Sequence, residues 1–271
     1  MAKTVQITKE IQSLIDQGAV FYISDSGGKD SQAMRILLTE LLPADQVVLV
    51  HADLGEVEWH GCQEHIRNWA TQELIVVRGN WKDGTTKDLL NMVERRHEQR
   101  PDSPPWPSTV MRYCTSDLKR DPIHKFIRQN MKARGAILAV NCIGLRAEES
   151  NARAHRPEFA ENKRLTNLSR TVYEWLPIHG MKVAEVFQVI ADANQVPFWA
   201  YKENDRLSCV FCIMGCAGDL QHGARQRPEL AAKYIQLEIK TGWTMFNGKS
   251  LTDRLNENPK ERNFTPECTG L

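Results

Sequence analysis

Short apolar runs alternate with mixed polar and apolar segments along most of the chain. The candidate strands among these runs are 19–23, 46–51, 74–77, 136–140 and 172–175. Residues 58–70 have the pattern of a helix. A later helix is indicated by apolar residues at i, i+3, i+4 and i+7, namely Val183, Val186, Phe187 and Ile190. Apolar strands that alternate with helices predict a doubly wound, mostly parallel α/β sheet covered on both faces.

The pattern changes towards the end of the chain. From about residue 197, cysteines become frequent, and a charged segment with helical spacing follows. We therefore predict two domains: an α/β domain at 1–196, and a small, mainly helical, cysteine-containing domain at 197–271.

Composition places the chain among ordinary globular proteins. Hydrophobic residues make up 41% and charged residues 25% of the 271 residues. No apolar stretch approaches the ~20 residues that cross a bilayer, and the first residues lack the apolar core of a signal peptide. We therefore expect a cytoplasmic protein without a membrane partner, in which cysteines are ligands, nucleophiles or buried thiols rather than disulfides.

A glycine-containing turn follows the first candidate strand and precedes a helical pattern. The turn comprises Ser26, Gly27, Gly28, Lys29, Asp30 and Ser31. A strand, a turn and a helix start present backbone N–H groups and the positive end of the helix dipole to an anion. The lysine adds a mobile cation, and the aspartate suits a helix cap or a magnesium ligand. The sequence therefore predicts a phosphate-binding loop; the alternative is a βα turn without a ligand.

Two further polar loops follow candidate strands. Asp53, Gly55 and Glu58 come after the second strand, and Arg146 and Arg153 come after the fourth. Ligands of doubly wound sheets bind beyond the carboxyl ends of the strands, so we expect both loops beside the phosphate loop. Carboxylates there can accept hydrogen bonds from ribose or hold magnesium, and arginines can meet phosphates. Solvated charged loops are the alternative.

These segments together resemble a known superfamily. The turn lacks the Walker A spacing but is similar to the PP-loop of ATP pyrophosphatases, in which SGGxDS holds the pyrophosphate leaving group. With the 51–58 loop, Gly144-Leu145-Arg146, Leu176-Pro177-Ile178 and the Cys209–Cys212 pair, the chain resembles the phosphoadenylyl-sulfate (PAPS) reductase-like branch over about 19–213. The resemblance implies an adenine nucleotide alpha-hydrolase-like fold with a five-stranded sheet.

The resemblance also implies an activity. The loop is complete, as in the ATP-cleaving members, whereas PAPS reductases typically have a degenerate one. ATP would thus be cleaved to AMP and pyrophosphate with Mg²⁺, which activates an acceptor by adenylylation for sulfur transfer. The preferred setting is DNA phosphorothioation, with a cysteine desulfurase as sulfur donor. The expected catalytic residues are Lys29, Asp30 and Arg146; the rest of the loop, with Asp53, Gly55, Glu58 and Arg153, would bind the nucleotide.

Two other functions remain open from the sequence. The tail contains Cys268, which resembles the cysteine that attacks sulfur in PAPS reductases, so the first alternative is a thiol-dependent PAPS reductase. The second is a non-catalytic subunit whose bound nucleotide controls assembly.

The remaining cysteines suggest a metal. Cys209 and Cys212 form a CxxC, Cys216 follows four residues later, and Cys114 lies upstream. Soft thiolates at such spacing suit an iron–sulfur cluster or zinc. In adenylyl-sulfate reductases, which the chain resembles here, a Cys-Cys pair and a distant CxxC bind a [4Fe–4S] cluster. Tyr113 replaces the first cysteine of that pair in this chain. Cys216 would therefore be the fourth ligand beside Cys114, Cys209 and Cys212, with zinc or plain buried thiols as alternatives.

Charge gives one further indication. The formal net charge is +1, so a nucleic-acid partner would need a local patch. The basic residues of one predicted helix are Lys119, Arg120, Lys125, Arg128, Lys132 and Arg134. A basic face of this kind can track a phosphate backbone, although it can equally be a solvated helix surface.

Overall fold

The computed structural model describes residues 5–259. Its strands are β1 (Val20–Ser24), β2 (Val47–Ala52), β3 (Leu74–Val77), β4 (Leu138–Ile143), β5 (Phe159–Glu161) and β6 (Thr171–Trp175). Its helices are α1 (Lys9–Asp16), α2 (Lys29–Leu41), α3 (Cys62–Trp69), α4 (Leu89–Gln99), α5 (Tyr113–Thr115), α6 (Asp121–Arg134), α7 (Asn151–Ala154), α8 (Val183–Asp192), α9 (Ala217–Gln226), α10 (Pro228–Thr241) and α11 (Leu251–Leu255). A π-helical turn, Ser116–Arg120, joins α5 to α6. Within residues 5–259, every helix is too short or too polar to span a bilayer.

The strands form one mostly parallel sheet in the order β3-β2-β1-β4-β6-β5. The α/β fold is confirmed, and each predicted strand is present, but the sheet has six strands rather than five. The additional strand is β5, which pairs antiparallel with β6 at the sheet edge. Its three residues are too few to produce a recognisable apolar run, and their pairing with β6 depends on tertiary packing rather than on local pattern.

Both faces of the sheet are buried. In the central strand β1, Phe21 and Ile23 belong to one hydrophobic cluster, whereas Val20 and Tyr22 belong to the cluster on the other face. Alternate side chains of a strand point to opposite faces, so a continuous apolar run fills two cores at once. This double burial explains why the strand residues show no polar alternation.

The chain divides into two compact units. The first comprises Met1–Ala52, Gly61–Val77 and Ile123–Phe198, and it contains the whole sheet. The second comprises Asp53–His60, Arg78–Pro122 and Trp199–Leu271. The division into domains at 1–196 and 197–271 stays a prediction. The chain passes from the first unit to the second for the last time between Phe198 and Trp199, close to the predicted boundary.

Aromatic packing organises the second unit. Tyr234 of α10 is fully buried, stacks with Trp106 at a centroid distance of 5.8 Å, and contacts Phe211 edge-on at 5.2 Å. Trp106 comes from a proline-rich loop, and its indole N–H donates to the Trp243 carbonyl at 2.9 Å. Offset and edge-on aromatic pairs add stability beyond their buried area. The loop is therefore anchored although it contains no regular element.

Candidate functional site

The predicted phosphate loop lies at the carboxyl end of β1, in the middle of the sheet. Strand β1 ends at Ser24, and α2 begins at Lys29 with Gly28 as its N-cap. Gly28 has no side chain and makes no capping bond, so the first N–H groups of α2 receive no hydroxyl or carboxylate from that position. The positive end of the helix dipole favours an anion at this point.

A buried aspartate shapes the loop. Asp25 Oδ1 accepts hydrogen bonds from the Gly27 N–H and the Ser31 hydroxyl, both at 2.8 Å, and Oδ2 accepts from Arg35 Nε at 2.8 Å. Asp25 and Arg35 are each 2% exposed. Arg35 also donates to the Trp69 carbonyl at 2.7 Å. The loop conformation therefore depends on a buried ion pair.

Asp25 and Arg35 were not predicted from the sequence, although each carries a local signal. Asp25 directly follows the buried strand β1, and Arg35 stands among buried apolar residues of α2. Charged residues are rarely buried unless they are paired. Opposite charges in two segments that are expected to be buried therefore indicate that the two side chains form an ion pair.

Gly27 is required by both backbone and packing. Its φ is +73°, and a Cβ at this position would lie 2.4 Å from Cys62 Sγ. The Cys62 thiol donates to the Ser26 carbonyl at 3.3 Å, which holds α3 against the loop. The Ser26 N–H donates to Ser31 Oγ at 3.1 Å. The hydroxyl of Ser31 thus takes part in the internal bonding of the loop.

The three predicted catalytic residues form one network. Lys29 Nζ donates to Asp30 Oδ2 at 2.9 Å, and Arg146 Nε donates to Asp30 Oδ1 at 2.6 Å. Arg146 also donates to Glu148. Burial alone would lower the pKa of Arg146, but Asp30 and Glu148 raise it, so the guanidinium stays charged. One carboxylate therefore bridges two largely buried cations.

A glycine brings Arg146 to the loop. Strand β4 pairs in parallel with β1, with Ile143 opposite Ser24, so the residues that follow β4 lie beside the phosphate loop. A Cβ on Gly144 would lie 3.1 Å from backbone atoms of Asp30 and Ser31. The absence of a side chain therefore lets this loop approach the first turn of α2 closely.

Arg153 lies one contact further away. It forms an ion pair with Glu149, whose carboxylate also accepts the Arg146 backbone N–H at 3.0 Å. His179 Nε2 donates a hydrogen bond to the Arg153 carbonyl at 2.9 Å. Arg153 is thus tied to the loop that carries Arg146, and its contact with nucleotide stays a prediction.

The acidic loop after β2 belongs to the second unit. Asp53 Oδ2 accepts from Arg78 Nε at 2.7 Å, and Oδ1 accepts from the Gly55 N–H at 2.7 Å. The Glu58 carbonyl accepts from Arg227 at 3.2 Å. These bonds hold the loop in a defined shape. The roles of Asp53, Gly55 and Glu58 in nucleotide binding stay predictions.

Three of the four predicted metal ligands lie within electrostatic reach of one another in the second unit. Burial raises the pKa of Cys209 to about 12, and the charges of Cys212 and Cys114 raise it as well. Burial and the charge of Cys212 also raise the pKa of Cys114. Cys212 Sγ accepts the Met214 N–H at 3.4 Å. Clustered thiols of this kind are donors that fit iron or zinc.

Cys216 has a different environment. It is the N-cap of α9, where its Sγ accepts the Asp219 N–H at 3.4 Å. Burial raises the pKa of Cys216, and the neighbouring charges that raise it further are those of Asp219 and Asp205. The role of Cys216 as the fourth ligand stays a prediction.

Comparisons with known proteins point to one family. The sequence profile of the phosphoadenosine phosphosulfate reductase domain matches residues 21–213. Among curated proteins, no significant match was found. Similar solved structures include the Candida glabrata FMN adenylyltransferase bound to FMN and AMPCPP, at 12% identity and a TM-score of 0.44. Another is the phosphate complex of the Candida auris PAPS reductase, at 15% identity and a TM-score of 0.40.

The lengths covered in these comparisons differ. The match to the adenylyltransferase covers 75% of this chain but only 58% of that protein. The match to the reductase covers 72% of this chain and 91% of that protein.

Proposed function

The chain belongs to the phosphoadenosine phosphosulfate reductase domain family, and from that premise we propose that it cleaves ATP to AMP and pyrophosphate and adenylylates an acceptor for sulfur transfer. The observation that carries this proposal is the complete phosphate loop with its bridged cations. Lys29 and Arg146 both donate to Asp30, beside the start of α2, where Gly28 supplies no side-chain cap. Arg146 also donates to Glu148, so both cations are held in fixed positions at the loop.

The triphosphate would bind at the helix start. Its β- and γ-phosphates would bind at the positive end of the α2 dipole and accept from Lys29, because charge-assisted bonds to phosphate are strong. Asp30 would then share its cation partners with the phosphates. A carboxylate beside phosphates is also a typical magnesium site, so Asp30 fits that ion. Bound magnesium would neutralise charge on the phosphates.

The bonds change as follows. A nucleophile of the acceptor attacks the α-phosphorus, a new bond to that phosphorus forms, and its bond to the bridging oxygen of the β-phosphate breaks. The electron pair of the broken bond leaves with pyrophosphate. Lys29 and Arg146 would stabilise that charge, and such preorganised donors contribute most of the rate enhancement in phosphoryl chemistry.

The cysteines support a cofactor in this chemistry. Cys114, Cys209 and Cys212 would hold a [4Fe–4S] cluster together with Cys216, with zinc as the alternative metal. Their mutual electrostatic effects support a common ligand. A cluster supplies electrons or a site for sulfur, whereas zinc would be structural. We place the activity in DNA phosphorothioation, with DNA as acceptor and a cysteine desulfurase as sulfur donor.

The test begins with anaerobically purified protein. Visible spectroscopy and metal analysis are expected to find a brown protein with iron; a colourless protein with zinc favours the alternative. Pyrophosphate release from ATP is then measured with and without Mg²⁺. Lys29→Ala is expected to lower the rate about 100-fold or more, because one preorganised charge contact is lost. Lys9→Ala, at an exposed position of α1, is the matched control.

The same assays discriminate the alternatives. Cys268 lies outside the described residues, and Cys268→Ser is expected to leave pyrophosphate release unchanged. Sulfite formation from PAPS that disappears in Cys268→Ser, without pyrophosphate release from ATP, would instead identify a reductase. A wild-type protein that releases no pyrophosphate with acceptor and sulfur donor present would indicate a regulatory subunit.

A further inference from the structure

A basic cleft lies at the end of the sheet opposite the phosphate loop. It measures about 590 Å³ and belongs entirely to the first unit. The polar residues that line it are Lys125, Arg128, Gln129, Lys132, Ser169 and Arg170. Ser169 and Arg170 directly precede β6, and the residues at 135–137 directly precede β4. Because β4 and β6 run parallel to β1, the cleft is at the amino ends of the strands, opposite the phosphate loop.

The cleft concentrates positive charge. The segments 123–137 and 162–171 contain no aspartate or glutamate. Their basic residues are Lys125, Arg128, Lys132, Arg134, Lys163, Arg164 and Arg170. Since the whole chain has a formal net charge of +1, this is a local patch rather than a general property.

The central cations of the cleft have no counter-charge. Lys125, Arg128 and Lys132 are exposed, and among the described residues none of their side chains forms a hydrogen bond or an ion pair. Many other exposed cations of the chain do. Examples are the pairs Lys233–Glu56, Lys240–Glu94 and Lys249–Glu257. The contrast shows that the cleft leaves its cations available to an outside anion.

The spacing of the three cations suits an extended anion. They stand at i, i+3 and i+7 on α6, so they share one helix face and span about 10 Å along the axis. One small anion cannot contact all three, whereas phosphates recur every ~3.4 Å along each strand of a duplex. The row therefore matches several successive phosphates.

The cleft is also held in shape. Ile127 and Met131 of α6 and Leu165 of the β5–β6 loop are buried in the same hydrophobic cluster. Arg170 Nε donates to the Leu165 carbonyl at 2.8 Å. The two basic segments are therefore fixed side by side by a shared core, and a ligand would meet a preformed surface.

We propose that this cleft binds the phosphate backbone of double-stranded nucleic acid. Lysine and arginine side chains contact phosphate oxygens in protein–DNA complexes, and so do polar side chains such as those of Gln129 and Ser169. None of the lining side chains is aromatic, so the cleft has no platform on which single-stranded bases would stack. The inference does not depend on ATP cleavage, because it uses none of the residues of the phosphate loop.

The structure refines the basic face expected from the sequence. Of the six basic residues predicted on that helix, Lys125, Arg128 and Lys132 line the cleft. Arg120 forms an ion pair with Asp121, and Arg134 donates to the Asp45 carbonyl at 3.3 Å. The basic residues of this segment therefore do not form one continuous face. The residue that completes the row, Arg170, comes from a distant part of the chain.

Binding is tested by fluorescence anisotropy with a labelled DNA duplex of mixed sequence over a series of salt concentrations. The test variant combines Lys125→Gln, Arg128→Gln and Lys132→Gln. The control combines Lys9→Gln, Lys82→Gln and Arg206→Gln, which removes the same charge from exposed positions elsewhere. We expect the test variant to bind about tenfold or more weakly and the log–log salt slope to fall by about three, with little change in the control.

Four results would overturn the proposal. They are a wild-type protein that does not bind the duplex at low salt, equal weakening in both triple variants, tighter binding of a single strand of the same length, and displacement of the duplex by inorganic phosphate at constant ionic strength. Thermal unfolding verifies that each variant is folded. Lys29→Ala is expected to bind the duplex like wild type, so loss of pyrophosphate release and loss of duplex binding are separable.

Discussion

The basic residues at the carboxyl ends of the parallel strands differ in burial and pairing from those of the cleft at the amino ends. We call these two ends of the sheet the carboxyl edge and the amino edge. At the carboxyl edge, Arg35 pairs with Asp25, and Lys29 and Arg146 share Asp30, all with little exposure. In the cleft at the amino edge, the central cations are exposed and have no carboxylate partner among the described residues. A buried cation without a partner is costly, whereas an exposed one is stabilised by water. Burial therefore explains why the first set requires carboxylate partners, whereas exposed cations are stable with or without them.

The contrast indicates two kinds of recognition. A buried, paired set holds its donors in one geometry, which suits a compact ligand of fixed shape such as a triphosphate. An exposed row of flexible side chains tolerates many positions of an extended polyanion, and its attraction weakens strongly with salt. The same residue types thus serve different ligands because their surroundings differ.

The largest expected effect comes from breaking a pair at the carboxyl edge. Arg35→Ala leaves the Asp25 carboxylate buried without its cation, and we expect it to lower the free energy of unfolding by about 3–5 kcal/mol. Arg128→Ala, in the cleft, is the control and is expected to change it by less than about 0.5 kcal/mol. Urea unfolding measures both. Similar values for the two variants would contradict the comparison.

Replacing a glycine by alanine at either edge is expected to have a smaller effect on the free energy of unfolding. Gly27 and Gly135 both have positive φ, but a Cβ would meet Cys62 Sγ at Gly27 and nothing within 4 Å at Gly135. Gly135→Ala is expected to cost about 1–2 kcal/mol from the backbone alone. Gly27→Ala should cost roughly 1–3 kcal/mol more, because the loop is overpacked.

A double variant separates these two contributions in urea unfolding. Adding Cys62→Ala to Gly27→Ala removes the sulfur that the new Cβ would meet. Relative to Cys62→Ala alone, the cost of Gly27→Ala should then approach that of Gly135→Ala. A cost that stays as large as in the single variant would show that close packing against Cys62 is not what requires Gly27.

The smallest expected effect on stability concerns Glu148, the half-exposed partner of Arg146. Burial alone would raise the pKa of Glu148, but hydrogen bonds from Arg146 and the Val183 N–H lower it. A lowered pKa stabilises the fold above the unfolded value near 4.5 and loses that contribution as the pH falls through the folded pKa. Glu148→Gln is therefore expected to cost no more than about 0.5 kcal/mol at neutral pH, because the pair is half exposed.

Urea midpoints over a pH series test this expectation. The difference between wild type and Glu148→Gln should shrink below pH 4.5, the ordinary pKa of a glutamate. Glu73→Gln serves as the control, since Glu73 is exposed and has no ion pair among the described residues. A difference that stays constant with pH would contradict the role assigned to the Glu148 carboxylate.

Much of the fold was predictable because its signals are local. The long strands are apolar runs, and the glycine turn between β1 and α2 identifies the phosphate loop without knowledge of any distant residue. Strand β5 was missed because three residues carry no pattern. The buried pair of Asp25 and Arg35 was missed although the two residues are close in sequence, because burial of each had to be known before their pairing became necessary.

The sequence by itself determined the α/β class, the main strands and the phosphate loop, since each depends on residues that are neighbours along the chain. Tertiary structure alone decided that Arg146 meets Asp30 across 116 positions, that Cys114 lies within electrostatic reach of Cys212, and that Arg170 completes a cleft begun by α6. Charge interactions and packing act through space, and a linear pattern contains no distances between remote side chains. The chemistry of both edges therefore became visible only when the sheet brought those side chains together.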